Sequence, residues 1–117
     1  MFADPQSVTI NSVAQSLVRI ESKGLSSTYR TVDGTYLFRI SHQISKNRVR
    51  RMVRIDKYAV IADPITGANS RQTFGAYIVV DEPIGNGFAD ADIKYVLSGL
   101  MTWLDSTAQD KMLSDQH

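Results

Sequence analysis

The residues with most chemical potential in this chain are cations. Seven basic residues stand between positions 39 and 57, namely Arg39, Lys46, Arg48, Arg50, Arg51, Arg54 and Lys57, and Asp56 is the one acid among them. Arginine carries a planar fork of donors that grips phosphate in bidentate fashion. A row of such groups also gains affinity for a polyanion by releasing its condensed counterions. The other end of the chain has the opposite character. From Asp81 onward there are seven acids, and Lys94 and Lys111 are the only bases. The net charge of +1 is therefore the sum of two segregated stretches, and only the basic one predicts a partner.

Other chemistry has little to draw on. There is no cysteine, so thiol catalysis, iron–sulfur clusters and cysteine-ligated zinc are excluded, and a reducing compartment is compatible. The histidines are His42 and His117, too few for a histidine metal site or a Ser-His-Asp triad. Gly85-Asn86-Gly87 lacks the Lys-Ser/Thr of a phosphate loop and reads as a connector. Asp90 and Asp92 read as helix caps rather than metal ligands. The expectation is no enzyme, no catalytic residue, no metal and no cofactor.

The elements that must position the cations follow from composition and periodicity. A chain of 117 residues with 43% hydrophobic and 21% charged residues suits one globular domain, 1–117. Met1 to Pro5 lacks the features of a secretory signal, and no run approaches the roughly 20 apolar residues of a membrane helix. Residues 7–21 read as a hairpin, with a polar link around Asn11 to Ser16. Lys23-Gly24 breaks the pattern. Thr28 to Val32 is a short strand ended by the turn dipeptide Asp33-Gly34. Tyr36 to Ile44 alternates Phe38, Ile40 and Ile44 against Arg39, Ser41 and Gln43. His42 shares the apolar parity and reads as a structural or interface histidine.

After the polar turn Ser45-Lys46-Asn47, a long strand runs from Arg48 to Ala62. Val49, Arg51, Val53 and Ile55 form its core parity; Arg50, Met52, Arg54 and Asp56 form a ladder on the opposite side. Asp63 to Gln72 reads as an exposed loop, and Thr73 to Val80 as the last strand, closed by Asp81-Glu82-Pro83. In that strand Phe74, Ala76 and Ile78 share one parity, and Gly75, Tyr77 and Val79 the other. Alternation alone leaves open which set joins the cations. Then Ile93, Val96, Leu97, Leu100, Met101 and Leu104 recur at helical spacing within 90–115, with Trp103 beside them and a further helical turn over Ala108 to Leu113. Strands first and helix last is the pattern of an α+β domain, an antiparallel sheet (28–80) with helices on one side. A single amphipathic helix covers such a sheet poorly, so a partner is expected to share the apolar face.

In this order, the chain resembles the coat proteins of small single-stranded RNA bacteriophages. The resemblance rests on Ser7-Val8-Thr9-Ile10, Gln15 to Glu21, the run FRISHQISKNRVRRMVRIDKYA, GAYIVVDEP and the helix DADIKYVLSGLMTWL. It implies an intertwined homodimer whose two five-stranded sheets join into one of ten strands, with helices reaching over the partner. It further implies an icosahedral shell in the virion, assembled in the host bacterial cytoplasm, with a conformationally variable loop at Asp63 to Gln72. It also implies that the inner sheet face binds genomic RNA, packaging it and repressing translation through an RNA hairpin. Carried onto this sequence, the RNA-binding residues are Arg39, Ser41 and Gln43 on one strand, Lys46 and Arg48 at the turn, and Arg50, Met52, Arg54 and Asp56 on the next. Met52 departs from a purely polar face, so general RNA packaging is expected over one particular hairpin sequence. The competing reading is a cellular RNA-binding module with a basic sheet face that forms no shell.

Overall fold

The computed structural model describes residues 2–84 and 87–117. Gly85 and Asn86, within the expected connector, lie outside the described residues. The chain divides into two compact units, Met1–Glu82 and Pro83–His117.

The first unit is a six-stranded meander in strict chain order: β1 (Gln6–Ile10), β2 (Val13–Lys23), β3 (Ser26–Arg30), β4 (Tyr36–Ile44), β5 (Arg48–Ala62) and β6 (Asn69–Pro83). Short connections make each strand pair with the next. The N-terminal hairpin is not separate from a five-stranded sheet. Its second strand runs antiparallel along β3, from Val18 opposite Arg30 to Lys23 opposite Ser26. The hairpin is thus the first two strands of one sheet.

Turn chemistry accounts for the strand ends. Asn11 and Ser12 both take positive φ, 50° and 64°, the conformation of a two-residue hairpin loop that matches strand twist. The link is therefore shorter than the expected Asn11 to Ser16, and β2 begins at Val13. β3 lies two residues earlier than the expected Thr28 to Val32. Thr31 is drawn out of the strand to build the next turn: its hydroxyl donates to Asp33 Oδ1 at 2.8 Å and accepts from the Tyr36 amide at 3.1 Å. Gly34 completes that turn at φ 75°, a region costly for residues bearing a Cβ.

β4 and β5 occupy the spans that alternation predicts, but β6 is longer than Thr73 to Val80. Asn69 to Gln72 continue the ladder, so the expected loop Asp63–Gln72 shortens to residues 63–68. This loop closes on itself. The Asp63 amide donates to Ala68 O and the Gly67 amide to Asp63 O, both at 2.8 Å, while Asp63 Oδ1 accepts from the Ile65 amide at 2.8 Å. The Ile65 amide, with the Thr66 amide beside it, stabilises the carboxylate and holds the Asp63 pKa below its usual 3.8.

The core is small. Leu17 and Tyr29 are fully buried and Ile40 nearly so, with Val8, Tyr36 and Phe38 packed against them. Tyr29 and Phe38 sit opposite each other across β3 and β4, with ring centroids 6.0 Å apart. Val8 belongs to β1 yet packs in the same cluster as Tyr36 and Phe38 of β4, so the sheet curls and its first hairpin closes over one face. A register shift between Arg19 and Glu21 adds the local twist that such a curl requires. Arg19 ties the segment before β1 to this face. Its amide donates to the Asp4 carboxylate at 3.0 Å, and its guanidinium donates to the Phe2 carbonyl and to the Tyr29 hydroxyl. His42 lies on the apolar side, with its backbone amide bonded to Leu25 O at 3.0 Å.

The second unit holds α1 (Asp90–Trp103) and α2 (Ser106–Leu113). Neither Asp90 nor Asp92 caps α1. The N-cap is Ala89, which has no capping side chain, and both acids lie in the first turn. There they act through charge on the helix's positive end. α2 is capped properly: the Asp105 carboxylate accepts the Ala108 amide at 2.9 Å. The chain after Thr107 therefore continues as helix as far as Leu113. No residue of α1 is buried, and Val96, Leu100, Met101 and Trp103 are more than half exposed.

Candidate nucleic-acid interface

Strand register assembles the cations. In the β4–β5 ladder, Arg39 stands opposite Arg54, Ser41 opposite Met52 and Gln43 opposite Arg50. Residues opposite one another share a face, so these six side chains form one surface. The alternate pairs, Phe38 with Ile55 and Ile40 with Val53, lie on the core side. The two parities of β4 and β5 are thus divided as alternation predicts.

The contacts of β6 decide the parity that alternation left open. The Arg54 guanidinium lies over the Tyr77 ring, 5.1 Å from its centroid. Arg48 Nε donates to Asp81 Oδ1 at 2.8 Å, and Arg71 lies over Tyr58 at 4.7 Å. On the other side of the sheet, Arg51 is bonded to Glu82 at 2.7 Å. All of these fit one register in which Arg71, Gly75, Tyr77, Val79 and Asp81 face with the basic ladder. Phe74 belongs to the opposite parity. Tyr77 is 60% exposed and is the aromatic group in contact with Arg54.

The cations are not equivalent. Arg48 is paired with Asp81, and Arg54 with Asp56 at 3.0 Å, whereas among the described residues Arg39, Lys46 and Arg50 have no carboxylate within ion-pair distance. The face therefore offers unpaired positive charge at Arg39, Arg50 and the β4–β5 turn. Beside Arg50 lies a hollow of about 200 Å³ lined by Ser41, Gln43, Arg50, Met52 and Val79. It combines a hydroxyl, an amide and a cation with two apolar walls. Met52 is thus part of a lined depression and not a gap in the ladder.

Every position expected from the sequence lies on this face or at its rim. Arg39, Ser41, Gln43, Arg50, Met52, Arg54 and Asp56 are brought together, and Lys46 and Arg48 flank the β4–β5 turn. Sequence reasoning missed Arg30, which stands opposite Leu37 on the same side, as well as Arg71, Tyr58 and Gly75. Arg30 was within reach of parity reasoning on its own strand. Arg71 falls within the expected loop Asp63–Gln72, because the polar cluster around it hides the continuation of β6.

The family model described as "Phage phiCb5, coat protein" matches residues 3–83. Among solved structures, the virus-like particle of bacteriophage AVE019 is similar at 15% identity, covering 97% of this chain and 96% of that one, with a TM-score of 0.82. The virus-like particle of Beihai levi-like virus 21 is similar at 9% identity, 98% and 95% coverage and a TM-score of 0.75. The bacteriophage GA protein capsid is similar at 11% identity, 96% and 95% coverage and a TM-score of 0.62. A sequence search of curated proteins found no match.

Proposed function

Since this chain belongs to the phage phiCb5 coat-protein family, and is accordingly a structural protein and not an enzyme, we propose that it dimerises, assembles into a closed icosahedral shell in the virion, and packs single-stranded viral RNA against the β4–β6 face. The observation that carries the RNA reading is the ladder register. It puts Arg39, Ser41, Gln43, Arg50, Met52 and Arg54 on one side of the sheet and the apolar partners Phe38, Ile40, Val53 and Ile55 on the other. A cationic face with hydrogen-bonding groups and an exposed aromatic ring suits RNA, whose loops are held through phosphates and by stacking of unpaired bases. The hollow at Ser41, Gln43, Arg50, Met52 and Val79 suits one such base.

Self-association is supported by two features of the single chain. β6 is a 15-residue strand at one end of the sheet order, so one of its edges carries unpaired backbone groups. Such an edge pairs readily with another strand. Separately, α1 exposes Tyr95, Val96, Leu100, Met101 and Trp103, a run of apolar surface that marks an interaction site. A second copy that joins its sheet at β6 and receives the helices supplies both needs. The loop 63–68 is the candidate for the variable contact between dimers.

Expression in bacteria followed by sedimentation and electron microscopy tests this reading. The expected result is megadalton particles that enclose nuclease-resistant RNA and dissociate to dimers. A stable monomer at micromolar concentration with no shells overturns the coat reading and leaves a basic RNA-binding module. Shells devoid of RNA overturn the assignment of the basic face.

A further inference from the structure

Arg54 sits at the centre of the basic face but differs from its neighbours. Its Nε donates to both carboxylate oxygens of Asp56, at 3.0 and 3.2 Å. Its guanidinium carbon simultaneously lies over the Tyr77 ring, 5.1 Å from the centroid. An arginine whose charge is matched by a carboxylate and whose guanidinium lies over an aromatic ring has little positive charge left for a phosphate. What it presents is a flat, oriented surface.

Gly75 makes the arrangement possible. A Cβ on Gly75 would fall 2.2 Å from Asp56 Oδ1 and 3.1 Å from an Arg54 terminal nitrogen. The first distance is shorter than packing permits and the second is tight, so the Asp56 carboxylate occupies the space that a side chain at position 75 would fill. The φ of Gly75 is not positive. Its role is space and not backbone freedom, consistent with glycine inside a strand where another group approaches closely.

We propose that Asp56 and Gly75 hold Arg54 as a stacking plate on Tyr77, so that the centre of the face takes an unpaired nucleobase while Arg39 and Arg50 take phosphates. Asp56 is then a positioning residue that acts through Arg54. It makes the face prefer RNA with looped-out bases over a plain polyanion. The inference rests on RNA being the ligand of this face.

The test is a double-mutant cycle on assembled dimers, with a short RNA hairpin bearing an unpaired loop, the same hairpin with an abasic loop, and inorganic polyphosphate as probes. Asp56→Asn is expected to free Arg54 for phosphate. The slope of log affinity against log salt should steepen by roughly 0.7, the value for one further contact on a single strand. The preference for the base-bearing loop over the abasic one should fall by roughly fivefold or more, as loss of one stacked base does. In an Arg54→Ala background Asp56→Asn should change neither quantity. Gly75→Ala should reproduce Asp56→Asn by displacing the carboxylate. An unchanged slope in Asp56→Asn overturns the proposal, as does the same steepening without Arg54, which would make Asp56 a simple repulsive charge. Arg54→Ala flattening the slope as much as Arg50→Ala also overturns it, because Arg54 would then be a phosphate ligand. If the wild-type protein binds none of the RNA probes, the RNA reading itself is wrong and this inference falls with it.

Discussion

Tyr77 lies beneath the guanidinium of Arg54, with the carbon at the guanidinium centre 5.1 Å from the ring centroid. This contact joins β6 to the basic ladder of β5. It places the odd-numbered residues of β6 on the cationic side and Phe74 on the other. The aromatic group beside the arginines is therefore fixed by a cross-strand contact, and the distribution of free and matched charge across the face follows from the same register.

Free cations should dominate phosphate binding. Arg50→Ala and Arg39→Ala are each expected to flatten the salt dependence of RNA affinity by roughly 0.7 in slope, about one phosphate contact on single-stranded RNA. Arg48→Ala should have a smaller effect, because Arg48 is already paired with Asp81 at 2.8 Å. Filter-binding titrations over a range of salt read this directly, and equal slopes for all three variants would contradict the charge matching.

The two loop aspartates should titrate low. Asp33 Oδ1 accepts from the Thr35 amide at 3.0 Å and from the Thr31 hydroxyl at 2.8 Å. Backbone donors likewise lower the Asp63 pKa. Folded pKa values below the usual 3.8 mean that each carboxylate stabilises its turn at pH above the unfolded value. That contribution is lost as pH falls through the folded value. Carboxyl carbon shifts in a solution NMR titration should give midpoints under 3.8 for both residues. Protection of the Ile65 amide against hydrogen exchange should decline over the same acid range. A midpoint at or above the ordinary value would mean that these turns are open in solution.

Shell geometry should respond to the short loop. Removing Thr66 to Ala68 takes away the Gly67 and Ala68 ends of the loop's hydrogen bonds but leaves β5 and β6 outside the deletion. Dimers should persist while electron microscopy shows aberrant or mixed shells. Uniform normal shells would exclude the loop as the variable contact.

A small core leaves little redundancy. Leu17 is fully buried among Tyr29, Ile40 and Val8, so Leu17→Ala removes its contacts and leaves a cavity. Losses of about 2–5 kcal/mol are usual for such a change. Urea unfolding should register a drop in unfolding free energy of that order, and a drop under about 0.5 kcal/mol would show that Leu17 is not central to the core.

Charge on the helix stripe should block association. Leu100 and Met101 are both more than half exposed on α1. Replacing them with lysine leaves an isolated helix unharmed, because Lys and Leu have similar helix propensity. Circular dichroism should be preserved while sedimentation shifts from dimer or shell to monomer. Intact dimers in the double variant would place the interface elsewhere.

Local alternation carried much of this architecture. β4 and β5 fall on the spans that their period-two pattern predicts, and their two parities separate the basic ladder from the core residues, with Arg51 and Lys57 on the core parity. Each strand's sequence encodes that separation without reference to its neighbours. The helical stripe from Ile93 to Leu104 is legible for the same reason, with a period of 3.6 residues.

What needed tertiary structure was everything that depends on which residues stand opposite one another. The parity of β6 flips with a slip of one residue, so only its contacts with Arg48, Arg54 and Tyr58 place Tyr77 with the arginines. The true length of β6 was hidden because Asn69 to Gln72 are polar like a loop, yet extend because they pair across to β5. Asp56 looked like a lone acid in a basic run. Its partnership with Arg54, and the space that Gly75 leaves for it, exist only once two strands lie side by side. Sequence thus determined the order of the elements and the faces of β4 and β5, which are local properties of the chain. The fold decided register and charge pairing, because those energies arise between residues distant in sequence.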